Sequence, residues 1–360
     1  MNQYLIGLSC LECLGPVSLN KLLKLFDSAE DVWRSSFFYF KQKGIPSKLA
    51  SKIIEQRKNV DLPEMIKLIE KEKIKTVSLN DKNYPRALRE IYSPPPLLYY
   101  RGHADCFNQP TNLAVVGSRK ISIYCQTVLP KILKGALEQN AVIISGLALG
   151  VDALAHQLAC NQKSKTVGVV ASGLLWQDFY PKANLKLAQQ ILNLGGAIIS
   201  EFPPLTKAIT FNFPRRNRII AGFAQAVLIA EAAEKSGALI TADYALDFNR
   251  DVLALPQNIS SPNSAGVNKL IQSGANLIAS SDDLLKALHL EVLTKPEITE
   301  HLSLTAEEKM VYKLLTDIPA HIDKITISSN LDASQTGSLL ISLELKGIIK
   351  NIGSQRYIKL

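Results

Sequence analysis

Apolar positions along the chain fall into three successive regimes. Over residues 1–75 they recur at helical spacing and are broken by short turns, in YLIGLSCLECLG, SLNKLLKLF, AEDVW, PSKLASKIIEQ and LPEMIKLIEKEK. This spacing predicts a small all-helical domain. Within it LECLGPVSLNKLLKLF reads as helix, Gly-Pro turn, helix, with Ser18 expected to cap the second helix. A helix-hairpin-helix unit of this kind can meet a phosphate at its turn, and a plain αα-hairpin accounts for the pattern equally. Residues 76–112 form a connector rich in Pro and Tyr. Pro94, Pro95 and Pro96 exclude helix there, and LLYY is expected to lie as a short strand along the domain that follows.

From 113 to 290 the pattern changes to short continuous apolar runs alternating with helical stretches. The runs are LAVVG (113–117), AVIIS (141–145), TVGVVA (166–171), AIIS (197–200), AVLIAE (226–231), DVLALP (251–256) and ANLIA (275–279). Strands that are apolar on both faces belong to parallel sheets covered on both sides. The alternation predicts an α/β fold, a Rossmann-like doubly wound parallel sheet.

The third regime follows a polar linker at 291–303. Over 304–360 the pattern predicts three helices and two strands joined at Gly353, which is the winged-helix order. Thr305 and Glu308 are spaced as a capping box for the first of these helices. The third helix, expected from Ser334 to Lys346, carries a single Lys at its end and no Arg. It is a poor phosphate surface, and a protein-contact or packing role suits it better.

Composition narrows the class. A chain of 360 residues with 47% hydrophobic content holds two or three globular domains. The start MNQYLIGLSC lacks the basic region of a signal peptide and no apolar run reaches membrane-spanning length, so a cytoplasmic protein without membrane insertion is expected. Cys10 and Cys13 are spaced CxxC without a second pair, so buried thiols are expected and no metal site. Net charge is +9, which by itself favours a polyanionic partner only weakly.

The stretch FPRRNRIIAG changes that picture. Arg215, Arg216, Asn217 and Arg218 stand together directly before an apolar run, and no acidic residue lies between Glu201 and Glu231. Arginines pressed against core sequence need a partner or an anionic ligand, and phosphate is the first candidate. In an open parallel sheet the ligand lies beyond the carboxyl ends of the strands. Those ends carry Gly117, Ser118 and Arg119, then Ser145 and Gly146, then Ser172 and Gly173, then Ser200 and Glu201, with Ser236 and Gly237 in a later loop. Small residues expose backbone N–H groups, hydroxyls add donors, and helix N-termini add partial positive charge. Together they predict a phosphate pocket.

Competing chemistries fit less well. The first loop is GSRKIS rather than GxGxxG, and there is no GxxxxGK[ST], so neither a dinucleotide nor a P-loop site is predicted. A nucleotide-processing enzyme is the alternative reading. Asp152 and His156 lie four apart on one helix face and would be its acid–base pair. A structural pair that orients the 145–150 loop accounts for them better. No catalytic set and no cofactor are expected. For stacking against unpaired bases the candidates are Phe202, Phe211 and above all Phe213 as a loop aromatic, with Phe179 and Tyr180 assigned to structure.

The motifs GSRKIS, SGLALGVDALAH, SGL…YP…N, SEFPP, FPRRNRIIAG, SGALITA and AGVNKLIQSGA, in this order and preceded by YPRALREIYSPPPLLYYRG, resemble the DprA (Smf) family of DNA-processing proteins of natural transformation. The resemblance covers nearly the whole chain and implies a SAM-like helical domain before the core and a winged-helix-like domain after it. It also implies a homodimer that binds single-stranded DNA, shields incoming DNA, and works with the RecA recombinase and with single-strand binding protein. Carried over by motif, the DNA pocket comprises Gly117, Ser118, Arg119, Ser145, Gly146 and the Arg215–Arg218 cluster. Two departures stand out: Leu149 occupies a position where many members have a basic residue, and Pro256, Gln257 and Asn258 replace a Pro-Gly-Ser.

Overall fold

The computed structural model describes residues 2–292, 304–316 and 319–359. The chain divides into two compact units, 1–292 and 293–360. The greater part of the expected linker, 293–303, lies outside the described residues.

The first unit is built on a nine-stranded sheet. Its strands are β1 (Lys75–Ser78), β2 (Leu97–Gly102), β3 (Asn112–Gly117), β4 (Val142–Ser145), β5 (Thr166–Val169), β6 (Ala197–Ser200), β7 (Ala226–Glu231), β8 (Asp251–Ala254) and β9 (Asn276–Leu277). They lie in the order β1-β2-β6-β5-β4-β3-β7-β8-β9. From β6 to β9 all neighbours are parallel; β2 pairs antiparallel with β6, and β1 antiparallel with β2. The parallel strands are those expected from the apolar runs, and LLYY forms most of β2. Strand β1 escaped the sequence reading because KTVS is an edge strand with one fully buried residue, Val77, and no apolar run. The Arg86–Arg89 helical turn escaped it too, being too short for a periodic signal.

Helices cover both faces, and each face has its own apolar layer. One layer gathers Val116, Ile144, Val169, Ile219, Phe223 and Ile229. Another gathers Leu113, Val115, Leu129, Leu133, Val151 and Leu228. Adjacent residues of β3 therefore point to opposite layers, as the pleat requires. The buried middles of such strands carry no charge, so the polar chemistry is pushed to the sheet's edges.

The N-terminal helices, Gln3–Ser9, Pro16–Leu25, Ala29–Arg34, Phe37–Gln42, Ser47–Arg57 and Leu62–Lys71, share an apolar cluster with the sheet. In that cluster Leu8, Leu11 and Ile69 meet Leu97, Tyr99, Val170 and Ile198. Ser9 Oγ and Tyr99 Oη are 2.7 Å apart across the junction. The second helix is capped by Gly15 with Pro16 at its first position, and Ser18 lies inside it. Proline at that position needs no N–H and is preset for helix, which outweighs a serine cap two residues later. Cys10 and Cys13 are reduced and half-buried, more open than the sequence suggests.

In the second unit, helices Ala306–Leu314, Ile322–Ser329 and Ala333–Leu345 are followed by β11 (Ile349–Asn351) and β12 (Arg356–Lys359), with the two-residue β10 (Ala320–His321) completing a sheet of order β10-β12-β11. The Thr305–Glu308 capping box is present. Buried Glu308 is also gripped by Lys346 at 2.7 Å and Ser342 at 2.6 Å.

Candidate nucleic-acid interface

The strand order reverses between β3 and β7. On one side the chain proceeds outward through β4, β5 and β6, and on the other through β7, β8 and β9. At such a switch point the connections leave in opposite directions and open a crevice at the carboxyl edge. A cleft of about 320 Å³ sits there, lined among others by Gly117, Ser118, Arg119, Asp152, Phe213, Asn217 and Gly237.

Three helices begin at this cleft. They are Val151–Asn161 after Gly150, Asn212–Phe223, and Gly237–Asp247 capped by Ser236. Their first turns supply Asp152, Phe213 with Pro214, and Gly237 with Ala238 to the lining. N-termini of helices carry unpaired N–H groups and partial positive charge, so a shared cleft between three of them suits an anion. A smaller cleft of about 70 Å³ adjoins it, with Arg119, Phe213 and Arg216 common to both and Gly146, Leu149 and Tyr180 added.

The loops are held by close packing and by buried polar pairs. Gly150 has φ +80°, and a Cβ there would stand 2.2 Å from the Ser118 carbonyl oxygen. Only glycine lets the Gly150 turn sit against the Ser118–Arg119 loop. Ser118 Oγ accepts from Lys120 N at 3.1 Å, closing its own turn. Fully buried Glu231, at the end of β7, accepts from Ser122 N at 3.0 Å and from Asn263 Nδ2 at 3.3 Å.

The arginine cluster is distributed rather than concentrated. Residues on a helix are about 100° apart, so neighbouring side chains leave in different directions. Arg216 is only 5% exposed. It donates to the carbonyl oxygens of Gly146 at 2.6 Å and Val169 at 2.5 Å, and its Nε donates to Asn217 Oδ1 at 3.1 Å. Burial draws its pKa down to about 10, against the pull of Asp152, so it remains cationic at neutral pH. Arg218 turns the other way, pairing with Glu201 and donating to the Ser93 carbonyl. Arg215 lies over the rings of Phe202 and Phe211, 5.2 and 5.9 Å from their centroids.

Of the residues singled out from the sequence, the main cleft brings together Gly117, Ser118, Arg119, Phe213, Arg216 and Asn217, and Gly146 joins them in the smaller cleft. Other side chains turn inward. Ser145 Oγ donates to the Val115 carbonyl at 2.6 Å, a strand-to-strand bond inside the sheet. Ser172 Oγ donates to the Gly173 carbonyl, and Gly173 N donates to the Thr206 carbonyl under the Pro203–Thr206 segment. Ser172 and Gly173 are thus covered by chain that follows β6, which no local pattern announces.

Phe213 is helical rather than in a loop, because Pro214 falls in the first helical turn, where proline is accepted. Its ring faces Arg119, whose Cζ is 5.0 Å from the centroid, and meets Tyr180 edge-on at 5.9 Å. Tyr180, assigned to structure from the sequence, is half exposed and lines the smaller cleft. Asn263 at the main cleft was also missed. Tyr180 stands in the YP step of the motif order, which does not say where its ring points, and an isolated Asn in a long loop carries no pattern that would have marked Asn263.

Asp152 and His156 engage different partners. Asp152 Oδ2 accepts from Gly146 N at 3.0 Å and Ala148 N at 3.4 Å. Burial raises its pKa, against the Arg216 charge and these N–H groups. His156 Nδ1 is 2.7 Å from Thr166 Oγ1, and burial lowers its pKa to about 3. Among the described residues no hydrogen bond joins the two, as an acid–base pair would need.

Comparison with known proteins agrees with this architecture. Residues 75–289 match the family described as DNA recombination-mediator protein A, and residues 295–352 match the DprA winged helix domain. Protein Smf of Synechocystis sp. is 32% identical, with 98% of each chain covered. The crystal structure of DNA processing protein A from Streptococcus pneumoniae is 34% identical, covers 81% of this chain and 99% of its own, and superposes with a TM-score of 0.65. DNA processing protein A from Helicobacter pylori, known from a structure that describes its single-stranded DNA binding mode, is 28% identical over 60% of this chain and 96% of its own, with a TM-score of 0.54. The sheet with its switch-point cleft, the motif order and the winged helix together make this chain a member of the DprA/Smf family.

Proposed function

We propose that this protein binds single-stranded DNA through the switch-point cleft and acts without catalysis. In this reading it protects incoming DNA during transformation and helps load the RecA recombinase, as a homodimer. The observation that carries the reading is the meeting of three helix N-termini with Arg119 at one cleft, beside Phe213 and Tyr180. Such a cleft offers backbone donors and one exposed cation to phosphate, and aromatic faces to unpaired bases. It has no side-chain pattern for reading base edges, so binding should tolerate any sequence.

The test is a fluorescence titration of single and double strands over a salt series. Tight single-strand binding that weakens with salt is expected, with duplex bound less well. Arg119 is exposed and without an ion-pair partner among the described residues. Arg119→Ala should lower affinity by about 1–2 kcal/mol and reduce the salt slope by about one. Equal affinity in the variant would refute the site. Turnover of mononucleotides that disappears in Asp152→Asn, a variant that keeps an acceptor for the 146–148 loop, would replace this reading with an enzymatic one.

A further inference from the structure

A second groove lies on the far side of the segment that walls the phosphate cleft. Ala208 and Phe213 face the smaller cleft, whereas Lys207, Ile209, Phe211 and Arg215 face a groove of about 730 Å³. Its opposite wall is the N-terminal helical region, with Leu11, Leu14, Leu19 and Met65. The volume falls within the range of about 300–1,000 Å³ usual for ligand sites. Phe211 is 71% exposed at the rim, and Leu205 and Ile209 stand more than half exposed beside it. Large apolar side chains grouped around a concavity mark an interaction surface.

Charge identifies the occupant. Arg215 lies against Phe202 and Phe211, and among the described residues it has no ion-pair partner. Lys207, on the same side, also has no ion-pair partner there. The groove therefore joins an apolar, partly aromatic wall to two unneutralised cations, with Glu12 and the Arg218-paired Glu201 as its carboxylates. Single-stranded nucleic acid has the matching composition: flat apolar bases linked by anionic phosphates. A guanidinium plane beside an exposed ring is a stacking platform for such bases. The groove and the clefts are lined by neighbouring residues of one helix, Arg215 on one side and Arg216 on the other.

We propose that this groove is a second nucleic-acid subsite, taking one or more bases of a strand whose phosphates continue from the switch-point cleft past Arg215. The proposal rests on the single-strand reading of the first cleft. On this view the 207–213 segment is a divider over which the strand passes. Leu149 brings no charge to the smaller cleft, and Arg215 supplies charge on the other side.

The experiment is a titration of fluorescein-labelled oligothymidylates of increasing length with the full chain, its Phe211→Ala and Arg215→Gln variants, and a Phe211→Trp variant. Phe211 is largely exposed and Arg215 has no ion-pair partner among the described residues, so thermal melts of both variants should stay close to the parent and are recorded beside each titration. In the parent, affinity should rise as the oligonucleotide becomes long enough to cross the divider. Phe211→Ala and Arg215→Gln should each remove about 10-fold of that gain, and Phe211→Trp should retain it with quenched fluorescence on binding. An undiminished gain in both Phe211→Ala and Arg215→Gln, or unaltered tryptophan emission, overturns the subsite, and the groove would then be a protein-docking surface. If the parent binds no oligonucleotide of any length, the first reading fails and takes this one with it.

Discussion

Asp152 and Arg216 grip the two ends of one residue. The carboxylate accepts from the N–H of Gly146 at 3.0 Å, and the guanidinium donates to its carbonyl at 2.6 Å. A Cβ on Gly146 would stand 2.6 Å from the Arg216 guanidinium carbon. The most buried arginine of the basic motif is therefore part of the frame of the phosphate cleft. It holds the ends of β4 and β5, and its charge is felt at the cleft from beneath.

Removing either partner should cost stability as well as affinity. Asp152→Ala leaves the N–H groups of Gly146 and Ala148 without their acceptor and removes the nearby negative charge felt by buried Arg216, which should destabilise the first unit by about 3 kcal/mol. Asp152→Asn keeps an acceptor and should cost less. Urea denaturation of the two variants, compared with their single-strand affinity, checks this. A fully stable Asp152→Ala would show that the carboxylate does not hold the loop.

The Glu201–Arg218 pair makes a different prediction. Both side chains are about nine-tenths buried, at 9% and 12% exposure. Glu201→Ala should lose about 3–5 kcal/mol by stranding Arg218, whereas Glu201→Leu combined with Arg218→Met should recover much of it. Denaturant midpoints of the two singles and the double decide the matter. Additive losses would mean the two do not act as a pair.

His156 should make stability fall with acid. Its imidazole titrates near about 3 when folded and near an ordinary 6.5 when unfolded. Between these values the unfolded chain binds a proton that the folded chain refuses. Stability is then complete above about 6.5 and declines as pH falls toward about 3. His156→Leu should flatten this part of the profile, read as unfolding free energy against pH.

Glu308 should act similarly in the second unit at lower pH. Its bonds to Lys346 and Ser342 hold its pKa down to about 2 from an ordinary 4.5. Its stabilisation is present above about 4.5 and is lost as pH falls through about 2. Calorimetry of the full chain and of Glu308→Gln should show the variant losing this acid dependence. The same bonds engage Lys346, which caps the C-terminus of a third helix, Ala333–Leu345, that itself carries no lysine or arginine.

Much of this molecule is legible in its sequence because strands buried on both faces must be apolar, and because the loops after them must be small. That logic locates β3 to β8 and the glycine and serine turns at their ends. It does not tell which way a hydroxyl or a guanidinium points. Ser145 and Ser172 look like phosphate donors in a list of strand ends, yet each spends its hydroxyl on a nearby carbonyl. The three arginines look alike in the sequence, each pressed against an apolar run, yet Arg216 alone is almost wholly enclosed, at 5% exposure. These outcomes depend on chain that arrives from far away, such as β5 under Arg216 and the Pro203–Thr206 segment over Gly173. Strand β1 was unreadable for the simpler reason that it repeats nothing.

The pitch of the Asn212–Phe223 helix sets a limit on how this family member can change length. Arg215, Arg216 and Arg218 reach three separate environments only because of their positions around one helical turn. Inserting or deleting a single residue inside that turn would rotate every later side chain by about 100° and give each arginine another's neighbours. The loop from Glu201 to Phe211 ends before the helix begins, so added length there would leave the register of the arginines untouched. A one-residue change inside the helix would thus disturb all three arginines at once, whereas a change before Asn212 would keep their register and act instead on the segment that covers Gly173.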